Sequence, residues 1–254
     1  VDGEGWTPLI WASQNGHEKV ARTLLEAKAD LEKQTLMGTT ALMFSAQNGR
    51  EQVARALIGA NANLEAQQNQ GYTSLMLSAQ TGHEQIARVL LERGADVNHS
   101  AKDGRTALMQ ASKNGHERIA RALLEKGAYV NAAAKKGASS LMLASENGHE
   151  RIARALLEKG AEVDATDEEG WTALIWASQD GHEQVARALI DENANVNAAA
   201  NNGVSSLMLA SQNGHEQIAR ALLKEGANVN HSANDRRTAL MQASEYGRDK
   251  VARA

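Results

Sequence analysis

Glycine recurs every 33 residues along this chain, and that spacing constrains the fold more than any other feature. Gly16, Gly49, Gly82, Gly115, Gly148, Gly181, Gly214 and Gly247 keep the interval without one slip over 254 residues. Strict self-similarity at a period of roughly 20–50 residues marks a stacked repeat architecture. Seven full repeat units and most of an eighth fill the chain with no insertion or linker. The expectation is one continuous array over 1–254 with no internal domain boundary.

One repeat unit can be read in physical terms. Thr106 suits a helix N-cap, and Ala107 to Ser112 form a short helix with Leu108 and Ala111 on one face. Asn114-Gly115 ends it. His116-Glu117 opens a second helix, in which Ile119, Ala120, Leu123 and Leu124 follow at helical spacing. Gly127 closes that helix as a left-handed residue just past its end. A polar, turn-rich connection leads to the next unit. Such a helix pair cannot bury its apolar face alone, so neighbours must stack. The predicted fold class is all-α: a solenoid of about eight helix-turn-helix units with β-turn loop fingers.

Composition removes several alternatives. Cysteine is absent, which excludes disulfides, thiolate zinc sites and a cysteine nucleophile. The 27 basic and 31 acidic residues give a net charge of −4, with no electrostatic footprint for nucleic acid or an anionic membrane. No apolar run approaches the roughly 18 residues of a membrane span. The first residues are not a basic-then-apolar signal segment. A reducing, cytoplasmic setting is therefore expected.

The residues resemble the ankyrin repeat over the whole chain. Thr7-Pro8-Leu9, later Thr-Ala-Leu or Ser-Ser-Leu, opens the first helices; Gly-His follows them six times; Leu123-Leu124-Glu125-Lys126-Gly127-Ala128 and its equivalents precede the loops. One departure is systematic. The position after the Leu, often His in the family, is Ile10, Met43, Met76, Met109, Met142, Ile175, Met208 and Met241. These side chains are expected to pack between units, with the loops losing a polar tie. The resemblance implies a non-catalytic protein-binding scaffold that uses loop fingertips and groove-facing first helices.

Repetition within one chain separates two kinds of position. Those that recur in every unit serve stacking, and those that vary are free to serve a partner. The six histidines after glycine recur, and Arg50 and Arg248 replace them in two units. Units stand roughly 10 Å apart, too far for successive histidines to share a metal at about 2 Å. They read as ties between turns, and no metal is expected. The arginine stripe from Arg22 to Arg253 has an acid four residues upstream at each step, Glu18 to Asp249, and so reads as a self-neutralised, solvated face. Among the residues that close the second helices, Lys28 replaces Gly or Asn and predicts the poorest cap. Arg236 replaces a loop glycine and predicts an irregular last loop.

The variable fingertip positions supply the partner-binding candidates. Leu36 and Met37 put two apolar side chains at a loop tip. Lys102, Arg105, Lys135 and Lys136 make a basic patch in sequence, and Trp171 stands near Glu168 and Glu169. Trp6 and Tyr72 complete the set, since aromatic and Arg side chains are frequent interface anchors. Trp11, Phe44 and Trp176 are expected in core or half-buried packing. Gln110 and Gln242 occupy the same slot and suggest that it is not fully buried. His99 and His231 sit in loops with no acid or thiol constellation near them.

Residues 71–112 match residues 203–244 at 31 of 42 positions, as an in-frame duplication would leave them. Neither end carries a polar capping unit, so a longer array or end-to-end self-association is a further expectation. No phosphate-binding glycine loop, nucleophile elbow or placed carboxylate pair is present, so neither catalysis nor a cofactor is expected. The partner is then a protein or peptide, with no nucleic acid, membrane or metal. A nucleotide stacked on Trp6 or Tyr72 is an alternative, and a targeting arm of a larger enzyme, effector or channel is another.

Overall fold

The computed structural model describes residues 2–253. The chain divides into two compact bodies, Val1–Tyr129 and Val130–Ala254. Each is built from helix pairs. In the first body the leading helices are α1 (Pro8–Asn15), α3 (Ala41–Gln47), α5 (Ser74–Thr81) and α7 (Ala107–Asn114). Their partners are α2 (Glu18–Glu26), α4 (Glu51–Gly59), α6 (Glu84–Glu92) and α8 (Glu117–Glu125). The second body repeats the scheme with α9 (Ser140–Glu146), α11 (Ala173–Asp180), α13 (Ser206–Asn213) and α15 (Ala239–Glu245). These pair with α10 (Glu150–Glu158), α12 (Glu183–Asp191), α14 (Glu216–Lys224) and α16 (Asp249–Ala252). Within each body leading helices pack on leading helices and second helices on second helices. The predicted all-α repeat solenoid is the fold observed.

Each leading helix starts where a hydroxyl can satisfy a free backbone N–H. Thr7, Thr40, Thr73, Thr106, Ser139, Thr172 and Thr238 each accept a hydrogen bond from the amide three residues on, at 3.1–3.5 Å. Such caps contribute about 1 kcal/mol each. Ser205 holds the same extended conformation, but its hydroxyl makes no capping bond.

The Met and Ile positions are core. Ile10, Met43, Met76, Met109, Met142, Ile175 and Met208 are almost wholly buried, as expected for side chains packed between units. Met241 departs from the series at 56% exposed. The loops find their polar ties elsewhere. Glu32, Glu65 and Asn98 in the first body each accept from the backbone amide 31 residues on, at 2.7–2.8 Å. Asn131, Asp164 and Asn197 do the same in the second, at 2.7–2.9 Å. The expected loss of a loop tie is thus offset by a carboxylate or amide ladder at a different position.

A second ladder runs through the fingertips. Leu36, Asn69 and Lys102 donate backbone N–H bonds to the carbonyls of Glu4, Met37 and Gln70, at 2.9–3.0 Å. Glu168, Asn201 and Asn234 repeat this against Lys136, Glu169 and Asn202. One expectation changes on this geometry. The loop with Arg236 is regular: Arg236 takes φ 67° where Gly104 takes 79°, and both close the same tight turn at 2.8 Å. The ladder supports that backbone whatever the side chain. The irregular loop is Lys135–Gly137, a 3-10 turn in which Lys136 has φ 70°.

Lys28 adopts φ 58°, the left-handed conformation that Gly94, Gly127, Gly160 and Gly226 take at 81–85°. A side chain with a Cβ is disfavoured there by about 1–2 kcal/mol, partly offset by the freedom glycine adds to the unfolded chain. Lys28→Gly is therefore expected to raise stability by about 1 kcal/mol, read as a higher urea midpoint with an unchanged slope.

Candidate functional site

Four of the recurring histidines are structural ties. His83 Nε2 lies 3.2 Å from the Gln47 carbonyl and His116 Nε2 3.2 Å from that of Gln80. His182 and His215 reach Glu146 and Gln179 at 3.0 and 3.1 Å. A carbonyl only accepts, so each imidazole carries its proton on Nε2. These carbonyls belong to the last turn of a leading helix, which has no partner within its own helix. Arg50 and Arg248 make the same bond through Nε to Gln14 and Gln212, both at 3.0 Å. The exchange of His for Arg keeps the function. The facing glycine makes room: a Cβ on Gly49 would stand 2.5 Å from His83 Cε1. Among the described residues no group of three or more His, Asp or Glu side chains could hold a metal ion.

The arginine stripe is paired as the spacing predicts. Seven Arg–Glu pairs at i,i+4, from Arg22–Glu18 to Arg220–Glu216, have N–O distances of 2.8–3.0 Å. They are well exposed, so each contributes only a few tenths of a kcal/mol.

The fingertip candidates are organised by a step that sequence reasoning missed. Two residues that follow a loop glycine, Trp6 and Tyr72, lean on a slot 38 residues later, on the next leading helix. Trp6 meets Phe44 this way, ring centroids 4.7 Å apart, and also stacks on its own Trp11 at 4.2 Å. Trp11 is 47% exposed, more open than the core or half-buried packing expected for it, because Trp6 covers one face of its indole and leaves the rest open. Phe44 is half-buried. Leu36 and Met37 are 71% and 60% exposed on the adjoining tip. With Glu4, Thr35, Thr39 and Gln68, these residues and Trp6 and Phe44 line an open groove of about 450 Å³.

Tyr72 takes the same step to Gln110. Gln110 Nε2 donates to the phenol oxygen at 3.0 Å, and the phenol donates to Asp103 Oδ2 at 3.4 Å. Gln110 is only 1% exposed, so the slot is fully buried where the sequence suggested otherwise; the phenol satisfies its amide. Burial, then the Asp103 charge, hold the Tyr72 hydroxyl above its ordinary pKa, with Arg105 opposing. Arg105 itself pairs with Asp103 at 3.6 Å. Tyr72 and Arg105 are thus engaged within the first body, where Lys102 is an exposed fingertip residue.

In the second body Trp171 packs on Trp176 at 4.4 Å, and its amide donates to Asp167 Oδ1 at 2.8 Å. Trp171 and Val204 rest on the buried cluster Ile175, Ala200 and Leu209. Glu168 and Glu169 are exposed, and their carbonyls accept from Asn201. Lys135 and Lys136 are exposed on the 3-10 turn, so the four residues of the expected basic patch divide between the bodies. Gln242 is buried at 8% exposed, again contrary to expectation. His99 and His231, the loop residues read as having no acid or thiol constellation near them, bond the Gly71 and Gly203 carbonyls at 2.9 and 2.8 Å.

Helix pairs in a 33-residue register, with Gly-His turns tied across units, agree with the comparisons. The family described as ankyrin repeats (3 copies) matches residues 29–101, 94–167, 129–200 and 197–254, and the single ankyrin repeat matches residues 4–36. The chain belongs to the ankyrin-repeat family. Ankyrin repeats are generally non-catalytic protein-interaction modules. No curated protein matches the chain. No helix among the described residues is long and apolar enough to cross a membrane.

Two outcomes test the site geometry. His83→Ala is expected to cost about 1 kcal/mol by leaving the Gln47 carbonyl unpaired, while His83→Arg restores most of it; chemical denaturation reads both. Raising pH ionises the unfolded Tyr72 before the folded one, so the folded state binds more protons and stability falls as pH climbs past about 10. Tyr72→Phe should shallow that fall and remove the phenol ionising above its ordinary value from an absorbance titration.

Proposed function

We propose that this ankyrin-repeat chain is a non-catalytic scaffold for a protein or peptide, and that the Trp6 groove is its principal docking surface. The unbroken 33-residue register supports reading 1–254 as one array. The single observation that carries the docking surface is the exposure of Leu36 and Met37 beside the Trp6–Trp11–Phe44 shelf. Two large apolar side chains on one loop tip are unfavourable in water unless something covers them. The tip is also held: Leu36 donates to Glu4, and Asn69 donates through N–H and Nδ2 to Met37 and Leu36. A held tip loses little conformational entropy on binding, so contact energy passes directly into affinity.

In the second body Trp171, Glu168 and Glu169 offer a smaller aromatic and acidic surface, with Lys135 and Lys136 as exposed cations. Lys102, Tyr72 and Arg105 form the corresponding polar edge of the first. The paired arginine stripe leaves little net positive field, which favours a protein partner over nucleic acid. The absence of cysteine suits a cytoplasmic setting. A second reading, self-association through a repeat face, is favoured by the exposed Val229, Leu240 and Met241 next to an apolar groove of about 200 Å³.

Peptides selected from a random library on the immobilised chain test the docking surface. Trp6→Ala and the double change Leu36→Ser, Met37→Ser are each expected to weaken the selected peptides at least about tenfold in fluorescence anisotropy. Peptides that keep full affinity for both variants would place docking elsewhere. Light scattering across a concentration series separates the second reading: a constant monomer mass removes it.

A further inference from the structure

The open groove beside Trp6 has a chemistry that narrows what can fill it. The three fingertips that frame it, residues 2–5, 34–38 and 67–71, carry Asp2 and Glu4 and no lysine, arginine or histidine. Asp2 is already committed, because its Oδ1 accepts from the amides of Glu4 and Trp6 at 3.0 and 2.9 Å. Glu4 lines the groove, is exposed, and makes no ion pair with another described residue. The backbone leaves a ligand little else. The carbonyls of Glu4, Thr35, Leu36, Met37 and Thr39 already accept hydrogen bonds from Leu36, Gly38, Asn69 and Thr35. The open acceptors are the Glu4 carboxylate and the Gln68 side-chain amide, which bonds no other described residue.

The apolar lining is partly aromatic. Trp6 and Phe44 both face the groove, with ring centroids 4.7 Å apart. Thr39 lines it at the place that Trp6 and Tyr72 hold in the units before and after, so the row of rings is interrupted there. Ring faces attract a cation, and an unpaired carboxylate calls for N–H donors. An anionic ligand would meet Glu4 with no cation to offset it. A wholly apolar side chain would leave the carboxylate without a partner. Lysine brings charge, but as a compact, strongly hydrated ammonium. Arginine meets every demand at once. Its flat guanidinium stacks on a ring, its fork of donors fits a carboxylate, and its methylene stem suits the Leu36 and Met37 side chains.

We infer that the Trp6 groove takes an arginine side chain of the bound protein or peptide, its guanidinium against the Trp6 and Phe44 rings and paired with Glu4. The inference rests on the docking surface proposed above and adds the chemistry of its occupant. The test titrates the full chain with N-acetyl-arginine methylamide, followed by NMR. The citrulline analogue, equal in shape but neutral, and the lysine analogue are the comparisons. The arginine probe is expected to shift the Trp6 indole N–H and Met37 methyl signals saturably, at least about fivefold tighter than citrulline and about threefold tighter than lysine. Glu4→Gln, which keeps the backbone bond to Leu36, lowers arginine to the citrulline level and leaves citrulline unchanged. Phe44→Leu, a residue found in this slot as Leu77, Leu143 and Leu209, narrows the preference for arginine over lysine. No saturable shift, equal affinity for arginine and either comparison, full arginine affinity in Glu4→Gln, or an undiminished preference in Phe44→Leu would overturn the inference. Selected peptides that still depend on Trp6 when the arginine probe fails would keep the docking surface and remove only this occupant, so the two readings fail separately.

Discussion

A helix pair of some thirty residues has one apolar face and nothing of its own to cover it. Contact between successive units is therefore the condition on which everything else in this chain depends. It dictates the buried Met and Ile row and the caps that set where each leading helix begins. It also explains the hydrogen bonds that run from unit to unit: imidazole to helix-end carbonyl, loop carboxylate to amide, and backbone to backbone at the fingertips. Each link satisfies a polar group that a lone pair of helices would leave bare.

That condition also decides which residues can face a partner. Trp6 and Tyr72, each just after a loop glycine, do two things at once. They pack onto the next leading helix, at Phe44 and Gln110, and keep an edge toward solvent. Recognition residues here are held by the scaffold rather than added to it, and substituting one disturbs packing and surface together. Leu36 and Met37 are freer, since only their backbone atoms join the ladder.

Much of the fold was legible in the sequence, because period, cap and turn are local signals. Thr106 capped its helix, and His83, His116, His182 and His215 proved to be ties, with Arg50 and Arg248 as equivalents. The site was less legible. A pairing across 38 residues leaves no local trace, so the Gln110 slot read as not fully buried although a phenol waits for it in the unit before. Trp11 read as core or half-buried, yet one neighbouring indole is too small a cover. Arg236 read as a defect because residue preference says nothing of a backbone held by the adjoining loop. Asn69 and Asn201 vary with the fingertips yet bond their neighbours, so variation alone did not mark a free surface.

The ladders also govern how such a gene can change length. Every link spans a separation set by the 33-residue step, so deleting or copying one whole step returns each donor to an equivalent acceptor. Losing a single codon shifts two adjoining modules out of phase and strands all their shared bonds together. Growth by whole modules is nearly free of structural penalty, while the smallest frame-preserving error is among the most damaging.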